Sequence, residues 1–133
     1  MDDRQPNEQF EHDLVIQAAA EQFASSAKFS IHTNPADERR TGVGHLYPDI
    51  VVSEKDSDKV RFVIEVETVG SVTAEEAKQW QQFARLGVPL YLVVPWRVLP
   101  IAERLCAATG VKCHFGFYAQ DDQGRFKTVL KKE

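Results

Sequence analysis

The sequence predicts an α/β fold with a mixed central sheet of about five strands flanked by helices. Three observations carry that expectation. Residues 8–27 set Phe10, Leu14, Ala18 and Phe23 at close to helical spacing, with no internal Gly or Pro. Residues 46–53 and 59–68 are apolar strands joined by Glu54-Lys55-Asp56-Ser57-Asp58, a charged connection of hairpin length, so they should pair antiparallel. The second of these strands is followed by a helix and another apolar strand, an order that calls for a parallel crossover.

The remaining elements follow in order. Residues 1–7 are polar and expected to fray. Residues 28–33 alternate Phe29 and Ile31 with polar side chains, the period of a half-buried strand, and Asn34-Pro35 ends it. Residues 37–44 hold Arg39, Arg40 and two glycines and read as a mobile loop. Gly42-Val43-Gly44 lacks both a following Lys-Ser/Thr and a directly preceding strand, so it reads as a flexible loop rather than a phosphate cradle.

Thr73 with Glu76 three residues on is a capping-box pattern. The helix it opens runs to about Leu86, where Gly87 stops it, and Ala77, Trp80 and Ala84 give it a buried stripe. Residues 89–94 form a short apolar strand of the kind covered on both faces. Pro100 begins a helix that ends near Thr109-Gly110, residues 112–118 supply another strand, Asp121 to Gly124 turn, and residues 125–130 add a candidate edge strand.

A chain of 133 residues, 43% hydrophobic and 27% charged, suits one domain over residues 1–133 with a sizeable core. The longest uncharged run, residues 86–96, is too short to span a bilayer and holds Gly87 and Pro89. The N-terminus opens on acidic Asp2 and Asp3 rather than on a basic, then apolar, signal region, so a cytoplasmic protein is expected. Cys106 and Cys113 lie outside any CxxC spacing and read as small packing residues. A net charge of −4 argues against a broad basic nucleic-acid surface, although local Arg and Lys can still grip phosphates.

Chemistry concentrates in Tyr47-Pro48-Asp49-Ile50-Val51-Val52 and Phe62-Val63-Ile64-Glu65-Val66-Glu67. In a hairpin register that sets Ile50 opposite Ile64, Asp49 falls opposite Glu65. Alternation then puts Asp49, Glu65 and Glu67 on one face and at one end of the sheet. Opposed residues have Cβ atoms roughly 4.5–5.5 Å apart, close enough for two carboxylates to share an ion. Glu65 and Glu67 alone would read as the solvent side of an amphipathic strand. A third carboxylate adds repulsion of roughly a kcal/mol or more per pair, which a cation relieves. Oxygen-only ligands suit Mg²⁺ or Mn²⁺ rather than zinc.

Pro48-Asp49 followed by Glu65-Val66-Glu67, each on an apolar strand, resembles the PD-(D/E)XK nuclease superfamily, which includes type II restriction endonucleases and archaeal Holliday-junction resolvases. The element order helix, three strands, helix, strand over residues 8–94 supports the resemblance. It implies a restriction endonuclease-like, three-layer α-β-α fold and metal-dependent cleavage of DNA or RNA. By position it makes Asp49 and Glu65 metal ligands. Glu67 stands where the family usually has Lys, and is expected to act as a base or a further ligand, as in restriction enzymes of the superfamily that carry Glu there. Glu11 matches the acidic residue that the superfamily often adds from its first helix. Lys78 or Gln79 on the crossover helix is the candidate for the missing polar or cationic group, against the plainer reading of Lys78 as a solvated helix residue.

Arg39, Arg40 and His45, just before the Pro-Asp strand, are candidate backbone contacts to nucleic acid. His114 beside Cys113 reads as packing, and His12 and His32 carry no signal. Small superfamily nucleases often pair, so a homodimer is expected by analogy. The rival expectation is a nuclease-fold protein that has lost catalysis and serves as a nucleic-acid-binding or protein-interaction module. Glu67 in place of Lys and the acidic balance point that way.

Overall fold

The computed structural model describes residues 5–35 and 38–131. Most of the expected N-terminal fraying, and Asp37 of the expected loop, lie outside the described residues. The elements are α1 (Pro6–Ala24), β1 (Phe29–Thr33), β2 (Ile50–Glu54), β3 (Val60–Val66), a 3-10 turn (Val69–Ser71), α2 (Ala74–Ala84), β4 (Leu90–Pro95), a second 3-10 turn (Trp96–Val98), α3 (Leu99–Thr109), β5 (His114–Gln120) and β6 (Phe126–Leu130). The sheet has six strands in sequence order rather than five, because residues 126–130 complete a full antiparallel ladder on β5.

Strands β1, β2 and β3 form an antiparallel meander, and β3, β4 and β5 run parallel to one another. The β2–β3 register is the expected one, Ile50 opposite Ile64 and Val51 opposite Val63, with an irregularity between Val52 and Ser53 toward the turn. Asp56 absorbs that turn at φ 60°, a left-handed conformation that Asp tolerates better than most residues. Strand β2 begins at Ile50 and not at Leu46. Val43 and Leu46 exchange backbone hydrogen bonds of 2.9 and 3.1 Å across Gly44, whose φ of 62° makes a tight turn, so Leu46, read as strand, closes that turn instead.

Alternation along the strands builds two cores. Ile50, Val52, Ile64, Val66 and Val93 pack with Val15, Ile16 and Ala19 of α1. On the opposite face Leu92 and Val94 pack with Ala77 and Trp80 of α2 and Ala102 and Cys106 of α3, and Val51, Val63 and Leu90 pack with Phe83. Strand β4 is therefore covered on both sides, as its uninterrupted apolar run requires.

Helix α1 touches both β1 and β6, so the sheet curls around it. The Gln22 amide fastens the far side: its Nε2 donates to the Thr128 carbonyl at 3.0 Å, and its Oε1 accepts from the Thr128 N–H at 3.1 Å. This setting changes which stripe of α1 is buried. His12, Val15, Ile16 and Ala19 face the sheet, whereas Phe10 is 67% exposed and Leu14 37%. Phe23 alone of the expected apolar series packs against the core, from its flank. Among the described residues no helix is long and apolar enough to cross a membrane.

Candidate functional site

The segment that leads into β2 is held by one buried side chain. Asn34, 2% exposed, donates through Nδ2 to the carbonyls of Thr41 and Pro48, both at 2.7 Å. Its Oδ1 accepts from the N–H groups of Arg40 and Thr41 at 2.8 and 2.9 Å. Its backbone N–H donates to the Asp49 carbonyl at 2.9 Å. Asn34 thus fixes the backbone at Arg40 and Thr41 and the backbone that presents Asp49.

At the junction of β2 and β3 side chains take over from the backbone ladder. The Asp49 N–H donates to Glu65 Oε2 at 2.6 Å, and the Val66 N–H donates to Asp49 Oδ2 at 2.8 Å. The two carboxylates are thereby locked side by side, as the register requires. Glu65 is 8% exposed. Burial raises its carboxyl well above the usual 4.5, the nearby charges of Asp49 and then Glu67 raise it further, and the Asp49 N–H opposes them in part.

Three residues of α1 reach this end of the sheet. His12, 2% exposed, sets Nε2 3.0 Å from Asp49 Oδ2 and Nδ1 3.2 Å from Asp13 Oδ1, and Gln9 Nε2 holds that same Asp13 oxygen at 2.9 Å. Glu11 Oε2 accepts from Tyr118 Oη at 2.6 Å, and the same hydroxyl lies 3.0 Å from the Glu67 carbonyl. Glu8 accepts from Thr68 Oγ1 at 3.2 Å. It also lies so close to Gly70 that a Cβ there would sit 2.6 Å from its Oε1. Residues 8, 11 and 12 stand at i, i+3 and i+4, one face of one helix, and that spacing was the available signal for His12.

Glu67 is turned to a different task from its neighbours. Only 3% exposed, it accepts at Oε1 from Ser71 Oγ at 2.6 Å and at Oε2 from the indole Nε1 of Trp80 at 3.1 Å. Ser71 in turn takes the Thr68 N–H on Oγ at 3.0 Å, closing the turn that follows β3. The crossover helix α2 therefore reaches the site through Trp80. Lys78 and Gln79 are on its exposed side.

Arg39, Arg40 and His45 are exposed ahead of Asp49. Arg40 pairs with Glu38 at 2.7 Å, and the Arg39 guanidinium lies 5.8 Å from the Tyr47 ring centroid. Among the described residues no group of three or more His, Cys, Asp or Glu is disposed to hold a metal ion. Of the four expected ligands, Asp49 and Glu65 stand together, while Glu67 and Glu11 are engaged by Ser71, Trp80 and Tyr118. A pair of adjacent carboxylates fits a hard cation that keeps several waters, since Mg²⁺ is commonly held by one or two carboxylates.

No family model matches the chain, and it has no significant match among curated proteins or solved structures.

Proposed function

We propose that this protein is a metal-dependent hydrolase, and more particularly a nuclease that cleaves phosphodiester bonds of DNA or RNA in the manner of the PD-(D/E)XK superfamily. The observation that carries the reading is the pairing of the Asp49 carboxylate, partly exposed, with the buried Glu65 carboxylate, one closing the start of β2 and the other near the end of β3. An antiparallel meander continued by parallel β4, with α1 on one face and α2 and α3 on the other, supports a three-layer, restriction endonuclease-like arrangement.

In this reading Asp49 and Glu65 hold Mg²⁺ or Mn²⁺. When bound, the ion supplies an acidified water and charge neutralisation at the phosphate. His12 orients Asp49 from behind, as outer-shell partners do for metal-binding side chains. Glu67 is a bracing carboxylate that fixes the end of β3 against α2. Arg39, Arg40 and His45 lie where a phosphate backbone would be gripped before it reaches Asp49.

One observation favours a second reading, a nuclease-fold protein that binds nucleic acid or a protein partner without cutting. Glu67 has both carboxylate oxygens engaged where the superfamily usually has its Lys, and Lys78, the candidate replacement cation, is exposed. Incubating plasmid, single-stranded DNA and RNA with Mg²⁺ or Mn²⁺ separates the two. The nuclease reading predicts cleavage by the wild type that Asp49→Ala and Glu65→Ala abolish. Metal-dependent binding without cleavage supports the second reading, and cleavage that survives Glu65→Ala contradicts the site.

A further inference from the structure

Cys106 and Cys113 are far from Asp49 in sequence and take no part in its hydrogen bonds, yet the fold brings them into contact. Cys106 is in the last turn of α3 and Cys113 leads into β5. Between them the chain reverses at Gly110, whose φ is 72°, and the Val111 N–H returns to the Cys106 carbonyl at 2.9 Å. The two sulfurs end 4.0 Å apart.

Their surroundings differ in a way that suits sequential chemistry. Cys106 is 2% exposed within the core that α3 makes with α2. Cys113 is partly exposed and lines an open groove with Val88, Pro89, Lys112 and His114. A small oxidant can thus reach one sulfur while the other waits behind it. The hydrogen bond between the two sulfurs also lowers the Cys106 thiol from its ordinary range, against the opposing effects of burial and of Glu103.

We propose that Cys106 and Cys113 form an internal dithiol that a hydroperoxide closes to a disulfide, Cys113 being attacked first and Cys106 resolving it. The Cys113 thiolate attacks the distal peroxide oxygen, the O–O bond breaks, and the departing alkoxide or hydroxide leaves as alcohol or water with a proton. Cys113 is then a sulfenic acid. The Cys106 thiolate attacks its sulfur, the S–O bond breaks, hydroxide leaves as water, and the S–S bond forms. The two thiols lose two electrons in total and the peroxide gains them. Bond formation takes the two sulfurs from 4.0 Å to a bonded separation of about 2 Å.

The test uses the full chain, reduced and then treated with an equimolar amount of hydrogen peroxide, with intact-mass and alkylation mapping of both cysteines. The expected result is loss of two hydrogen atoms, loss of alkylation at both cysteines, and restoration of both by dithiothreitol. Cys106→Ser should stop at a sulfenic acid on Cys113 that dimedone traps, and Cys113→Ser should leave Cys106 reduced. Circular dichroism checks that each variant is folded. The wild type decides the matter by itself if a variant is not. Both thiols remaining alkylatable, Cys113 advancing to sulfinic acid while Cys106 stays a thiol, or disulfides only between chains would each overturn the proposal.

Discussion

Trp80→Ala should destabilise the protein by about 5 kcal/mol, because truncating a buried Trp costs roughly 3–5 kcal/mol and the loss of its N–H leaves a buried carboxylate short of a donor. Trp80 is 0% exposed and its indole donates to Glu67 Oε2 at 3.1 Å. The two contributions can be separated. Trp80→Phe keeps most of the apolar contact with Leu92, Val94 and Ala102 but removes the donor, so it should cost about 1–3 kcal/mol. Urea denaturation of Trp80→Phe, Glu67→Gln and the double variant completes a cycle, in which the bracing role predicts strong coupling between the two sites. Additive effects would free Glu67 from that role and return it to the candidates for catalysis.

The second large effect is on pH dependence. Glu65 has a folded-state pKa raised well above 4.5 by burial and by Asp49. Below about pH 4.5 the carboxyl is protonated in both folded and unfolded chains, and the contribution to stability is fully present. As the pH rises beyond that value the unfolded chain ionises while the folded one keeps its proton. Stability then falls by up to about 1.4 kcal/mol per pH unit, until the pH passes the folded-state pKa and the loss is complete. Glu65→Gln cannot ionise and should lose this slope, so its stability relative to the wild type rises with pH across that window. Denaturation midpoints measured at a series of pH values test it, and parallel curves for the two proteins would show that Glu65 does not carry the effect.

Much of this site was legible in the sequence because a β-hairpin has so few degrees of freedom. Side chains alternate with a period of two, so once Ile50 faces Ile64 the juxtaposition of Asp49 and Glu65 follows. The parts that were not legible depend on partners distant along the chain. The indole N–H that meets Glu67 comes from Trp80, a residue accounted for in the sequence as part of an apolar stripe. His12 looked uninformative because the buried side of α1 is set by a sheet that curls around it, not by the series beginning at Phe10 and Leu14. Leu46 read as strand because the reversal at Gly44 leaves no mark on apolar alternation.

If Asp49 and Glu65 together hold a divalent cation, a calorimetric titration with Mn²⁺ detects it. Wild-type protein, Asp49→Ala and Glu65→Ala are compared with and without an uncleavable phosphorothioate oligonucleotide. The site predicts saturable binding by the wild type, strengthened by the oligonucleotide, and its loss in both variants. Equal binding by all three proteins, or none by the wild type even with the oligonucleotide present, would contradict it.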